Sequence, residues 1–342
     1  MPSIEVGTRK VYYELHGPDD GPAYVLVNGL TQYSALWHPY RDALVTAGFA
    51  VATFDLLGQG QSDKPELFID QSDQVALLDA LVTTLGTRPV FLAGISFGGV
   101  IALRYAIEHG HRLAGLVPMS TFAELSPQLM LLGAALREGL ILGGVGYLQD
   151  LLLPMNVSSE WLAPRLNALD AVKRPGWRIN DAYALQNLME SFLDFQPMTQ
   201  HLSSIRLPTM VLNGEFDFLT PRGLHETMRA NIPNSSLLLI PRAYHAFTLE
   251  KPALTAWLLT RFAQDVLAGT WPGGGSVWIA PEAAGGVMEP FPPGYDHLRS
   301  LPARIATPAP TPSAVKKSPA KKPPAAKPAA ARSRAPARKP RA

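Results

Sequence analysis

The 342-residue chain contains no cysteine, which excludes a disulfide framework and any thiolate metal site. It also lacks an apolar run at its start: Met1-Pro-Ser-Ile-Glu-Val-Gly-Thr-Arg-Lys has none of the hydrophobic core of a secretory leader. Both absences fit a cytoplasmic location, which is the expectation. The most apolar segment, Leu129 to Met155, is interrupted by Arg137, Glu138 and Asp150. Its longest uncharged run, Gly139 to Gln149, falls well short of the ~20 residues that span a bilayer, so no transmembrane segment is expected.

Charge is scarce, at 17% of residues, and acidic charge vanishes at one end. Ala303 to Ala342 carries eleven Lys/Arg and no Asp/Glu. Nineteen of the 30 basic residues and all 28 acidic ones precede it, leaving an acidic body of net −9 and a basic tail. Fifteen of the 32 prolines also fall after residue 270. A Lys/Pro/Ala/Arg tail of this kind cannot bury enough apolar surface to offset the entropy of ordering, so 303–342 is expected to be disordered. Two readings of it stand side by side: nucleic-acid or other polyanion binding through counterion release, or a solubilising extension without a partner. The body carries no nucleic-acid motif.

What the body does have is alternation. Ile4-Glu-Val and Lys10 to Leu15 flank Gly7-Thr8 as an opening hairpin. Short continuous apolar runs follow at Ala23–Val27, Phe49–Phe54, Val90–Ala93, Leu113–Val117, Thr209–Leu212 and Ser236–Ile240, the pattern of strands buried on both faces. Between them lie helical segments, among them Ser72 to Leu85, Gly98 to His109 and Pro252 to Ala268. This predicts an α/β fold with a mostly parallel eight-stranded sheet and helices on both faces. The alternation fails from Thr121 to Ile205, where several helices and no convincing strand are read. An insertion that long between the sixth and seventh strands predicts a helical cap. Its apolar residues, such as Leu129, Leu131, Leu142, Met189 and Phe192, either pack the cap onto the body or line an acyl pocket. The resulting division is a core at 1–120 and 206–269, a cap at 121–205, a linker or irregular extension at 270–302, and the tail.

One pentapeptide carries chemistry. Gly94-Ile95-Ser96-Phe97-Gly98 is entered by a strand and left by a helix, the context in which glycines let the chain turn sharply and present a serine at the strand end. The N–H of Phe97, at the helix start, is an oxyanion donor there. A serine nucleophile needs a base, and the base an orienting acid. His245 follows the last core strand in Arg242-Ala-Tyr-His245, and Asp217 follows the strand before it in Asn213-Gly-Glu-Phe-Asp217, giving the order Ser, Asp, His. Glu215 is the rival acid, in the same loop; His225, inside a predicted helix, is a poor rival base. The loop after the third strand, Asn28-Gly29-Leu30-Thr31, offers the N–H of Leu30 as the second oxyanion donor.

These motifs resemble the α/β-hydrolase superfamily over about residues 1–268. The stretch Phe54-Asp55-Leu-Leu-Gly58-Gln-Gly60-Gln-Ser62-Asp63 looks like that superfamily's structural D-x-x-G-x-G-x-S motif. Ser96 stands where the related haloalkane dehalogenases and epoxide hydrolases carry aspartate, which argues against their chemistries. Asn28-Gly29, where many members have His-Gly, is similar to 3-hydroxyacyl carrier-protein transacylases, hydroxyalkanoyloxy-alkanoate synthases and intracellular polyhydroxyalkanoate depolymerases; Phe97, where those tend to have tryptophan, departs from them.

The resulting expectation is a serine hydrolase acting on a small-molecule ester or thioester with an apolar acyl group, without cofactor or metal. The alternatives are an acyltransferase acting on 3-hydroxyacyl thioesters, in lipid or polyhydroxyalkanoate precursor metabolism, and a polyanion-binding protein acting through its tail. The oligomeric state is not encoded in any motif.

Overall fold

The computed structural model describes residues 2–65 and 67–291. The expected disorder of 303–342, and the end of the expected linker, lie outside the described residues.

Ten strands form one sheet: β1 (Ser3–Val6), β2 (Arg9–His16), β3 (Ala23–Val27), β4 (Ala50–Phe54), β5 (Val90–Ile95), β6 (Gly115–Met119), β7 (Thr209–Gly214), β8 (Ser235–Ile240), β9 (Val277–Ile279) and β10 (Glu289–Pro290). Their order is β1-β2-β4-β3-β5-β6-β7-β8-β9-β10. Pairing is parallel from β4 through β9 and antiparallel at the two ends.

The continuous apolar strands are explained by burial on two faces. In β3, Ala23, Val25 and Val27 enter one core layer while Tyr24 and Leu26 enter the other. In β5, Val90 and Leu92 face the first layer and Phe91, Ala93 and Ile95 the second. Period-2 geometry thus sends alternate side chains to opposite helical layers. The first layer is covered by the helices Gln71–Thr84 and Phe97–His109, the second by His38–Thr46 and Pro252–Leu267.

The sheet has two strands more than the eight expected. The linker or irregular extension expected at 270–302 begins as ordered chain: Trp271 packs edge-on against Phe262 at 4.8 Å between ring centroids. The loop of glycines then turns the chain back, so that Leu237 pairs with Val277 and Leu239 with Ile279. A three-residue strand is too short to show a period, and proline and glycine around it read as loop.

Between β6 and β7 the chain is helical, as expected for the cap. Its first element, Pro127–Asn156, is capped by Ser126, whose Oγ accepts the Leu129 N–H at 3.2 Å. It breaks at Gly144, whose φ of 70° lies in the left-handed region. Shorter helices follow at Ser159–Leu162, Leu169–Ile179 and Ala182–Glu190. The cap is tied to the body by backbone and amide hydrogen bonds. The Ala246 N–H donates to Asn156 O at 2.7 Å, and Asn180 Nδ2 donates to Thr31 O at 2.9 Å. By length and composition Pro127–Asn156 is the one described helix that could cross a membrane, but here it is bent, and Gly139, Leu140, Val145 and Leu148 are buried within the protein.

Candidate active site

Ser96 sits between β5 and the helix Phe97–His109 with φ 54° and ψ −119°, a conformation costly for a residue with a Cβ. The surroundings enforce it. The Ser96 N–H donates to Met119 O at 2.9 Å, and the Thr121 hydroxyl donates to Ser96 O at 2.7 Å. A Cβ on Gly94 would collide with the Gly98 carbonyl, and one on Gly98 with the carbonyl oxygens of Val27 and Asn28. The two glycines are therefore needed for close backbone approach, which packs the serine turn directly on the loop after β3.

That loop is held from several sides. Asn28 donates Nδ2–H to Phe54 O at 2.8 Å and accepts from Trp37 Nε1 at 2.6 Å. Gln32 Oε1 accepts the Gly29 N–H at 2.8 Å, and Thr31 takes a φ of 67°. Asp55, fully buried, accepts from the Ser34 N–H at 2.6 Å, its hydroxyl at 2.7 Å and the Gln61 N–H at 2.7 Å. Burial outweighs these bonds and pushes its carboxyl above the usual range. The D-x-x-G-x-G-x-S stretch is thus a brace for the 28–34 loop, consistent with its structural reading. Leu30 and Phe97 both line the cavity that holds Ser96. As the first residue of its helix, Phe97 has no intrahelical acceptor for its N–H.

After β7 and β8 the chain brings Asp217 and His245 together. His245 Nδ1 lies 3.0 Å from Asp217 Oδ2 and 3.1 Å from Oδ1. The carboxylate is also held by the Thr220 N–H at 2.9 Å, the Thr220 hydroxyl at 2.7 Å and Asn213 Nδ2 at 3.3 Å. Burial alone would raise the Asp217 pKa; the charge and hydrogen bond of His245, with smaller contributions from His225 and Thr220, outweigh it and bring the pKa down to about 2. Glu215 goes elsewhere: its Oε2 accepts the Arg242 N–H at 2.8 Å. His225 is fully buried, with Nε2 accepting the Thr121 N–H at 3.0 Å. Burial lowers its pKa to about 4, which keeps it a neutral acceptor.

Ser96 and His245 line one cavity of about 500 Å³. Among the described residues no hydrogen bond joins Ser96 Oγ to His245; bonds of this type commonly tighten only when substrate binds. The cavity roof comes from the cap: Leu129, Leu136, Leu152, Met189 and Phe192 line it. Phe97 meets Phe192 edge-on at 5.3 Å, so the residue after the serine is matched to a cap aromatic. The apolar cap residues meet three fates: some line the cavity, Leu140, Leu148 and Leu188 are buried, and Leu131 and Leu142 are 75% and 82% exposed.

Two residues of the site had no sequence signal. Asn156 lines the cavity with a buried Oδ1 that has no hydrogen-bond partner, and Asn180 joins the cap to both the 28–34 loop and Gly60, whose N–H donates to its Oδ1 at 3.2 Å. Each lies in a cap whose packing only the folded chain reveals. Among the described residues no three His, Asp or Glu side chains gather as a metal site.

A parallel sheet covered on both faces, a serine on a strained turn after β5, and an Asp–His pair after β7 and β8 under a helical cap define the α/β-hydrolase class. The chain belongs to the hydrolase family described as serine aminopeptidase, S33, whose model matches residues 22–252. It is 25% identical over 279 residues to the candidate carbamate hydrolase RutD of Azorhizobium caulinodans, across 78% of this chain and 99% of that protein. Among solved structures, the α/β hydrolase MGS-M2 from a Medee basin deep-sea metagenome library is similar with a TM-score of 0.70 at 24% identity, covering 77% of this chain and 97% of its own. A thermophilic esterase from Thermogutta terrifontis, with malate bound, gives a TM-score of 0.68 at 24% identity over 75% and 94%.

Proposed function

We propose that the protein is a serine hydrolase that cleaves the carboxylic ester or thioester bond of an apolar acyl substrate through an acyl-enzyme on Ser96. One observation carries this reading: Ser96 and His245 open into the same cap-roofed cavity, and Asp217 holds His245 Nδ1 at 3.0 Å.

In this mechanism His245 Nε2 removes the Ser96 proton as Oγ attacks the carbonyl carbon. The carbonyl π electrons move to oxygen, and the N–H groups of Leu30 and Phe97 hydrogen-bond the oxyanion. Collapse breaks the C–O or C–S bond, and the leaving group takes the proton from His245. Water then repeats the sequence on the acyl-enzyme and releases the acid. A hydroxyl of a second 3-hydroxyacyl substrate in place of that water turns the same site into an acyltransferase. The apolar roof accounts for preferring a hydrocarbon chain; desolvation there strengthens the donors at the oxyanion.

The test is to incubate the protein and its Ser96→Ala variant with simple esters and with 3-hydroxyacyl thioesters of several chain lengths, and to identify products by mass spectrometry. Free acid formed only by the unsubstituted protein is the expected result, and the variant should lose roughly 10⁴-fold or more in kcat. Dimeric hydroxyacyl esters would assign transfer instead. Product formed equally by both proteins, or by neither, overturns the proposal.

A further inference from the structure

The first half of the long cap helix is apolar on the side that faces away from the protein. Only 17% of the most apolar 18-residue window of Pro127–Asn156 is buried. Ten of the residues from 127 to 143 are exposed, and Glu138 is the only charged one among them. Leu131 and Leu142 are eleven residues apart, about three helical turns, so they project from the same side some 16 Å apart. Met130 and Ile141, at the same spacing, are 58% and 47% exposed. An apolar surface of this extent on a charge-poor helix marks an interaction site more than chance exposure.

The patch runs into the cavity mouth. Met130, Ala134 and Leu193 are exposed and also line the cavity that holds Ser96. A substrate dissolved in whatever covers the patch meets these apolar residues at the mouth, where Arg137 and Glu138 are the charged residues of the same helix in the lining. The second half of the observation is charge: 303–342 carries eleven cations and no anion, on a chain whose remaining charge is −9. An apolar surface and a polybasic segment are the two weak signals that together give firm, reversible attachment to an anionic lipid surface. Spanning is the poorer fit, since residues 127–143, before the break at Gly144, measure about 25 Å against a hydrocarbon core of about 30 Å.

We propose that the outer face of the cap helix, around Leu131 and Leu142, lies on an anionic lipid bilayer, with the basic segment 303–342 bound to its headgroups. Docking of this kind sets the cavity mouth against the lipid and is independent of whether the bond cleaved is an ester or a thioester.

The experiment is vesicle co-sedimentation of the full chain, read without turnover. The vesicles are phosphatidylcholine alone or phosphatidylcholine with 30% phosphatidylglycerol. The full chain should bind the anionic vesicles, with weaker binding to the neutral ones. The double variant Leu131→Glu/Leu142→Glu, on exposed positions, should retain its melting temperature and lose at least tenfold in vesicle affinity. A chain ended at residue 302 should lose the salt-dependent part of the binding and keep the part that the double variant removes. Three results overturn the proposal. One is no vesicle binding. Another is binding that the double variant keeps in full, which leaves only a polyanion tail, to be compared with binding to duplex DNA. The third is a dimer that the double variant dissociates without any lipid binding, which would make a second copy the partner of this face.

Discussion

Glu215 and Asp217 sit two positions apart in one loop, and the fold sends them to different tasks. Because Glu215 follows β7 directly, its carboxylate turns back on the Arg242 N–H, while Asp217 reaches His245 with three further donors around it. Under the proposed mechanism Asp217→Asn leaves the shape intact but removes the acceptor that sets the imidazole tautomer, and kcat should fall roughly 10³- to 10⁴-fold. Glu215→Gln should stay within tenfold of the unsubstituted protein on the same substrate, and a larger loss would return Glu215 to contention. The pairing of acid with base was nearly legible beforehand, because both residues come just after strands that a parallel sheet must end on one edge. Chain order did not choose between the two acids, because Glu215 and Asp217 both lie in the loop after β7 and both precede His245. Asn156 was not legible at all: nothing in Pro-Met-Asn-Val announces a side-chain carbonyl left unpaired in a cavity.

At the scale of elements, the helix Arg222–Asn231 contributes more than a layer of packing. Through His225 it fixes the Thr121 N–H, at the point where the chain leaves β6 for the cap. The unfolded chain takes up a proton there at its ordinary pKa of about 6.5, while the folded protein resists protonation down to about 4. Protons therefore bind the unfolded state preferentially in that window, and the stability held above pH 6.5 is lost as pH falls toward 4, by at most about 1.4 kcal/mol per unit from this group. His225→Gln keeps an acceptor without the titration. Urea unfolding at pH 7, 6 and 5 should show the variant losing less stability than the original protein, and parallel losses would count against His225 as the source. The strands were read well because two-face burial leaves an uninterrupted apolar run that no surface element imitates. The cap was legible only as a gap in that alternation. Its helices bury one side, line a cavity with another and expose a third, and a list of leucines does not say which is which.

Across the whole molecule, the largest departure from the sequence reading is the strand β9, seated beside β8 by a loop that composition alone calls flexible. Leu237 and Ala280 donate N–H groups across this junction to Ser276 O at 2.9 Å and Leu239 O at 2.8 Å. A chain ended at residue 269 leaves β8 as an unpaired apolar edge, the arrangement most prone to strand addition between molecules. It should melt at least about 5 °C lower than the full chain and aggregate on heating. One ended at 302 should match the full chain within about 2 °C, since 1 kcal/mol shifts a body of this size by about 2–4 °C. Scanning calorimetry with light scattering reads both; equal melting of the two truncations would restore the linker reading.

The groups proposed to break the bond all stand on the strand ends of the sheet, whereas most of the cavity wall belongs to one continuous insertion, 121–205. Inheritance can therefore treat them separately. Mutation or replacement of that insertion re-shapes which molecules are admitted while leaving the reaction untouched, so descendants of such a chain would be expected to diverge in diet long before they diverge in chemistry.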